Sequence, residues 1–433
     1  MKFSVAVTLL FAALCAGKKS YDGYSVYRIT PRTERAGNFI QELSENVNFG
    51  QSLDFWHESR NLGDPTDVMV PPRYKALVED FLRRRHMEFS LLVENVEDVI
   101  YPQAGGCGTD STDPAFYNCY HTMDEIESWM DGIVASYPGI ASKEAVSATF
   151  EGRTVSAIKI SGPNANRPAV IFQGGIHARE WISPATMMNI AKMLLDDHGV
   201  DTEVTAIIEH YDIYIIPVLN QDGYAYTWTD DRMWRKNRRT PSSGRCYGVD
   251  LNRNWDVDFG GDGTSTLGCS EVYHGVAALS EPETSGIDAW SRALQASTGV
   301  EVFIDFHSYG QYWMWPWGYK VGLPHTPDHN DQMTGGETAA AALGNVYGTQ
   351  YTVQRSASMY AAAGATEDWA YHSLGAKYSY IVELRPTSDA VGFQLPENKI
   401  EPTGIETYEG VKALLKYTSA DENPIAEKVA VLP

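Results

Sequence analysis

Residues 169–181 read Ala169-Val170-Ile171-Phe172-Gln173-Gly174-Gly175-Ile176-His177-Ala178-Arg179-Glu180-Trp181, an apolar run and a glycine pair followed by two chemically potent side chains three positions apart. A short apolar run closed by a turn signal reads as a buried strand, so His177 and Glu180 fall where a strand opens into a loop. Imidazole nitrogen and carboxylate oxygen are the usual zinc ligands of hydrolases, which use three protein groups and keep a fourth position for water. The third ligand must come from elsewhere. His307, closing the run Val302-Phe303-Ile304-Asp305-Phe306, stands in the same relation to its own strand. Alone, a His-x-x-Glu pattern arises easily by chance, and its weight depends on the rest of the chain.

Around this segment, strand-like runs at 155–160, 213–218, 301–306 and 378–383 alternate with helical patterns near 123–137, 184–196, 280–297, 336–347 and 405–416. The alternation predicts an α/β domain over 115–420, with a mixed, largely parallel sheet flanked by helices. In such sheets ligands and catalytic groups collect at the carboxyl ends of strands. Before it, residues 18–101 hold shorter patterns: strands near 25–30, 68–70 and 89–93, and helices near 36–46 and 74–86. These suit a small α+β open sandwich, its second helix burying Tyr74, Leu77, Val78, Phe81 and Leu82 and ending in the solvated run Arg83–His86. Residues 102–114, rich in Gly, Ser, Thr, Asp and Pro, read as a linker, and 421–433 as a tail.

With 43% of 433 residues hydrophobic, the chain can bury one large core and a second small one. Residues 1–17 carry Lys2, an apolar core and the small residues Cys15-Ala16-Gly17, the layout of a secretory signal peptide, so the mature protein is expected to be exported. No later stretch reaches the ~18 apolar residues of a membrane span. Removing the leader leaves Cys107, Cys119, Cys246 and Cys269, and sequence proximity favours disulfides Cys107–Cys119 and Cys246–Cys269. A zinc site of these thiols competes, but no Cys-x-x-Cys pair supports it. A net charge of −22 argues against nucleic acid, whose binding needs clustered cations.

Further motifs accompany the ligand candidates: Met233-Trp234-Arg235-Lys236, Asp250-Leu251-Asn252-Arg253-Asn254-Trp255, Tyr360 ahead of Gly364 and Asp368-Trp369, and Glu383-Leu384-Arg385. In this order and at these intervals the chain resembles the zinc metallocarboxypeptidases of the pancreatic A/B type, nearly end to end and including an activation domain. The resemblance implies one zinc ion held by His177, Glu180 and His307, and peptide C-termini as substrates. It assigns Asn252 and Arg253 to the terminal carboxylate, a role suited to an amide donor beside a guanidinium fork. Without it, Asn252-Arg253 reads as a surface turn. Tyr360 would close over the terminus, Arg179 would guide substrate and Arg235 would stabilise the tetrahedral intermediate. Asp250 would hold the second ring N–H of His177. Glu383 is the expected general base, with an ion pair to Arg385 as its competing reading. Lys236, Arg238 and Arg239 read as solvated charge.

Within the family, specificity follows the pocket floor. The floor position here is Glu367, where A-type enzymes carry an aliphatic residue and B-type enzymes an aspartate. A buried carboxylate needs a cation, so the expectation is B-like preference for C-terminal Lys or Arg, with Asp305 set near the same pocket by the resemblance. Arg355, five residues before Tyr360, could line the pocket and neutralise Glu367, leaving A-type specificity open. Relatives are usually activated by a trypsin-like cut at the domain junction, yet no Lys or Arg lies between Arg85 and Lys143. The cut then falls at Arg83–Arg85, or another protease cuts the linker. A monomer is the default expectation. The rival reading is a silent homologue that binds peptide C-termini, which would lack a ligand or the base.

Overall fold

The apolar runs build two separate sheets among the residues that the computed structural model describes, namely 18–45, 53–57, 62–100, 108, 110–164, 166–241, 246–387 and 392–421. The expected leader at 1–17, most of the linker with Cys107, and the tail from 422 lie outside the described residues.

The first sheet contains β1 (Ser25–Thr30), β2 (Asp54–His57), β3 (Thr66–Val70) and β4 (Glu88–Val93), antiparallel throughout, in the order β2-β3-β1-β4. Helices α1 (Glu34–Glu45) and α2 (Lys75–Arg84) and the turn α3 (Val96–Val99) complete this unit. Strand alternation divides its residues between two cores. Tyr27, Ile29, Val68 and Val70 pack with Ile40, Val78 and Leu82 of the helices. Val26, Met69 and Trp56 pack instead with Met233, Tyr309 and Phe393 of the larger domain, so the small sheet is buried on both faces. Of the five residues expected on the inner face of α2, Val78 and Leu82 are fully buried and Tyr74 and Phe81 partly so, but Leu77 is 48% exposed. The helix touches the sheet along a narrower stripe than its apolar residues would allow. Arg83 and Arg84 at its end pair with Glu79 and Asp80 one turn back, as a solvated terminus should.

The second sheet contains β5 (Ala141–Ala148), β6 (Thr154–Ser161), β7 (Ala169–Gly174), β8 (Asp212–Ile216), β9 (Val300–Ser308), β10 (Tyr312–Trp315), β11 (Thr352–Arg355) and β12 (Tyr378–Leu384), ordered β11-β10-β12-β9-β7-β8-β6-β5. The central four strands, β12, β9, β7 and β8, are parallel, and antiparallel pairings begin at β10 and β6. The sheet is therefore mixed, as expected. Flanking helices are α4 (Met123–Ser136), α5 (Ile182–Asp197), α6 (Thr202–His210), α7 (Gln221–Thr229), α8 (Pro282–Ser297), α9 (His329–Tyr347), the short α10 (Thr366–Trp369) and α11 (Ile400–Asp421).

Both faces of this sheet are covered, which is why its central strands read as unbroken apolar runs. Val170, Phe172, Ile213, Ile215, Val302, Ile304 and Phe306 pack on one side with Ile126, Met187 and Leu414. Ile171, Tyr214, Ile216 and Phe303 pack on the other with Trp255, Ile287 and Trp369. Burying each of these large side chains contributes about 1.5–3 kcal/mol. Chain ends are fixed locally: Thr122 and Glu125 form a reciprocal capping box at the start of α4, and Gly348 ends α9 in the left-handed conformation. The consequence for function is positional. Strands β8 and β9 leave β7 on opposite sides, so the crevice above the carboxyl ends of β7 and β9 lies where the strand order reverses.

Candidate metal centre and active site

His177 leaves β7 through Gly175, whose φ of +62° is open to glycine and strained for other residues, and whose backbone lies close to Val218. The segment then turns so that Glu180 faces His177 three residues on, with His177 Nδ1 2.8 Å from Glu180 Oε1. His307, near the end of β9, completes the group: its Nδ1 lies 3.1 Å from His177 Nδ1 and 3.3 Å from Glu180 Oε2. All three side chains are buried, and their ligand atoms lie within 4.8 Å of one another.

The far side of each ring decides what this cluster wants. His177 Nε2 faces Asp250 Oδ1 at 3.1 Å, and His307 Nε2 lies 3.1 Å from Asp305 Oδ2. A carboxylate opposite Nε2 calls for the ring proton there, which leaves a lone pair on each Nδ1. Two lone pairs 3.1 Å apart cannot bond to each other, and the Glu180 oxygens add more. Convergent acceptors of this kind fit a cation, and two imidazoles with one carboxylate are a zinc set with room for a fourth ligand.

Glu383 stands beside this group because β12 and β9 run parallel in a register that pairs Glu383 with His307. Its Oε2 has no hydrogen-bond partner, and its carboxyl is pushed up to about 8, first by burial and then by Glu180, against the opposing charge of His307. The competing ion pair with Arg385 is not formed, because the Arg385 Nε donates to Glu406 Oε1 at 2.6 Å.

Arg235 donates through Nη2 to Asp250 Oδ2 at 2.9 Å, and its Nη1 reaches within 4.0 Å of Glu180 Oε1. Asn252 accepts from the Thr366 amide and hydroxyl at 2.8 and 2.7 Å, which fixes its carbonyl inward and leaves its NH₂ as the donor. Arg253 donates to the backbone carbonyls of Gly263 and Asn252 and carries its guanidinium 5.9 Å from the Tyr360 ring centre. Asn252, Arg253, Arg235, Tyr360, Glu367 and Glu383 line one cleft with the three ligand residues.

Deeper in that cleft, Met314, Met359, Ile381, Ala362 and Ala365 form apolar walls around Glu367. Glu367 is fully buried, with Oε2 unpartnered, and burial raises its carboxyl above the ordinary range against a hydrogen bond from Ser356. It occupies the space that a side chain at position 318 would need, since a Cβ on Gly318 would lie 2.3 Å from Glu367 Oε1. Asp305 is fully buried on the same side of β9 as His307, level with Ile381 of the pocket wall, and its Oδ2 lies 3.1 Å from His307 Nε2. One sequence expectation is corrected here. Arg355 donates to the Leu323 carbonyl at 3.0 Å and is absent from the wall, so it does not neutralise Glu367.

Arg179 is buried, but by the N-terminal domain: its Nη1 donates to Asp54 Oδ2 at 2.6 Å, and its guanidinium lies over the Phe393 ring. From the same strand β2, Trp56 and His57 enter the cleft lining, with His57 stacked near Tyr309 and Tyr312. Sequence reasoning missed these residues and Phe393, since no local pattern announces a contact between segments so far apart. Lys236, expected in solvent, is instead buried and donates to the carbonyls of Gly268 and Ser270. Arg239 joins Glu281 and Arg238 stacks on Tyr226 and Trp234. Cys246 and Cys269 form a disulfide with Cα atoms 5.0 Å apart, closing the loop above Lys236. Cys119 is disulfide-bonded, while its expected partner Cys107 lies outside the described residues.

A buried His-Glu-His set at the carboxyl ends of a mixed sheet, with a carboxylate base candidate beside it, defines a metal-dependent hydrolase. Residues 126–410 match the zinc carboxypeptidase family, residues 27–103 match the carboxypeptidase activation peptide, and the chain belongs to the zinc carboxypeptidase family. It is 37% identical over 416 residues to carboxypeptidase A1 of Bos taurus, covering 95% of this chain and 97% of that protein. It is 37% identical over 422 residues to zinc carboxypeptidase A 1 of Anopheles gambiae, covering 96% and 95%. The solved structure of thrombin activatable fibrinolysis inhibitor superposes with a TM-score of 0.80 at 32% identity, covering 92% of this chain and 99% of that one.

Proposed function

We propose that this zinc carboxypeptidase is exported as a zymogen and releases aromatic and aliphatic residues from peptide C-termini. The observation that carries the specificity is the pocket itself: apolar walls of Met314, Met359 and Ile381 around a floor carboxyl that burial raises above the ordinary range, which favours its neutral form. A neutral floor accepts an apolar side chain, whereas a buried carboxylate without a partner would repel it. The matched relatives named carboxypeptidase A support the same reading. The second reading, preference for C-terminal Lys or Arg, is favoured by the unpartnered Glu367 Oε2, which a cationic side chain could meet.

In the proposed reaction Asn252 and Arg253 hold the terminal carboxylate, and Tyr360 closes over it. Zinc, when bound by His177, Glu180 and His307, supplies a Lewis acid that polarises the scissile carbonyl and favours attack by water. Glu383 takes the proton from that water and returns it to the leaving amine, a task suited to a carboxyl raised toward neutrality. Arg235 faces the developing oxyanion while Asp250 holds both Arg235 and His177 in place. Arg179 meets substrate only after Asp54 has left it, so the N-terminal domain acts as the latch of the zymogen. Export agrees with disulfide chemistry in the chain and with the leader-like N-terminus. The test is release from matched peptides ending in Phe, Leu, Lys or Arg by the activated enzyme. Faster release of Lys and Arg would replace the first reading by the second, and no release from any peptide would end both.

A further inference from the structure

Of the two imidazoles that face the metal position, His177 is backed by a carboxylate that is itself paired, because Asp250 also receives Arg235 at 2.9 Å. His307 is backed differently. Asp305 lies two residues earlier on β9, on the same side of the strand, with Oδ2 3.1 Å from His307 Nε2. It is fully buried, and neither its two oxygens nor His307 Nε2 has a partner in hydrogen-bond geometry among the described residues, so the 3.1 Å approach is a close contact of two unsatisfied groups. Across the β7–β9 register it faces Gln173, whose buried amide also has no partner. Three buried polar groups on two neighbouring strands thus stand side by side near the metal position, each with an atom that has no hydrogen-bond partner among the described residues.

We propose that Asp305 is a positioning residue for the metal ligand His307, and that Gln173 holds Asp305 in turn. This rests on the zinc reading of the site. A carboxylate opposite Nε2 fixes the tautomer that presents Nδ1, turns the ring toward the ion and increases the electron density on the ligating nitrogen. Among the described residues Asp305 pairs with no Lys or Arg, unlike Asp250 with Arg235, so its charge would be compensated through His307 and a bound ion beyond it. The protein would then carry two carboxylate-backed histidines, one on each strand of the switch point.

The experiment compares the full chain with Asp305→Asn, which keeps shape and removes the charge, and with Gln173→Leu. Zinc affinity is read by competition with a chromogenic chelator, and the thermal midpoint is measured with and without zinc. Loss of a carboxylate behind a ligand is expected to weaken zinc about 10–100-fold, while the metal-free midpoint stays the same or rises because a buried charge has gone. Gln173→Leu should weaken zinc less, in the same direction. Zinc affinity unchanged in Asp305→Asn, with both midpoints lowered equally, would reduce Asp305 to a structural residue and overturn the proposal. Absence of stoichiometric zinc in the unsubstituted chain would overturn the metal reading together with it. If Asp305→Asn does not fold, the same comparison is made on Asp305→Ser and is judged by the same outcomes.

Discussion

Replacing Glu367 by glutamine tests the specificity reading most directly, because the side chain keeps its shape and loses only its proton chemistry. Glu367 is fully buried, its Oε2 has no partner, and Arg355 is turned away toward Leu323, so burial outweighs the Ser356 hydrogen bond and the charges of His307 and Arg253 that oppose it. Burial raises its carboxyl, and the neutral form that this favours differs little from an amide. Peptides ending in Phe or Leu should therefore be cleaved by Glu367→Gln with kcat/KM within about threefold of the unsubstituted enzyme, a change below about 1 kcal/mol. The pH profile carries a second signature. Raising pH through the elevated pKa of Glu367 removes its proton and charges the floor, so KM for a Phe-ending peptide should climb on the alkaline side. The glutamine variant should lack that limb. Steady-state kinetics across pH on the activated enzyme supply both measurements. The reasoning fails if Lys- or Arg-ending peptides are the better substrates and lose about 30-fold or more in the variant, the loss expected when one partner of a buried charge pair worth about 2–5 kcal/mol is removed.

Three further expectations follow from the geometry. Glu383→Gln should lower kcat by about 10²–10⁴ through loss of general base catalysis, with zinc content by metal analysis unchanged. Asp54→Ala breaks the buried pair with Arg179, a loss of about 3–5 kcal/mol in comparable pairs, so the uncut variant should show more peptidase activity than the uncut unsubstituted chain, measured before any proteolysis. Glu283, at the start of α8, is raised to about 7, chiefly by burial and partly by Glu281, and opposed by hydrogen bonds from Phe150 and Asn237. Between the ordinary carboxyl range and pH 7 the folded chain keeps a proton that the unfolded chain has released, so stability should fall as pH rises, by about 1.4 kcal/mol per unit at most. Urea unfolding of Glu283→Gln over that range should lack this slope, and an identical slope in both proteins would contradict the assignment.

Much of the candidate site was legible in the sequence for a physical reason. Strands β7, β9 and β12 are covered on both faces, so each reads as an apolar run, and each has a polar, metal-ligating or carboxylate residue at or just beyond its carboxyl end: His177, His307 and Glu383. What could not be read were relations across the fold. Strand β11 is an edge strand of intermediate exposure, and adjacency to Tyr360 in sequence suggested a pocket position for Arg355 that the turn after β11 denies. Period two does set residues 305 and 307 on one side of a strand, a legible sign that Asp305 stands beside the His307 ring. Strand β2 is only four residues long, and it is its burial against Tyr309 and Phe393 that gives Trp56 and His57 a role. Lys236 looked like solvent charge because no local feature reveals two carbonyls waiting for it beneath a disulfide loop.

The antiparallel pairing of β4 with β1 bears on how the zymogen is opened. A trypsin-like cut at Arg85 would sever the chain between α2 and β4, but β4 would keep its ladder to β1 from Val26↔Val93 to Thr30↔Glu88, and Asp54 would keep its grip on Arg179. Such a nick divides the polypeptide without dividing the assembly. Maturation of this chain is then a matter of dissociation rate as much as of cleavage, and a protease able to cut beyond β4 would set free what a basic-residue protease only scores.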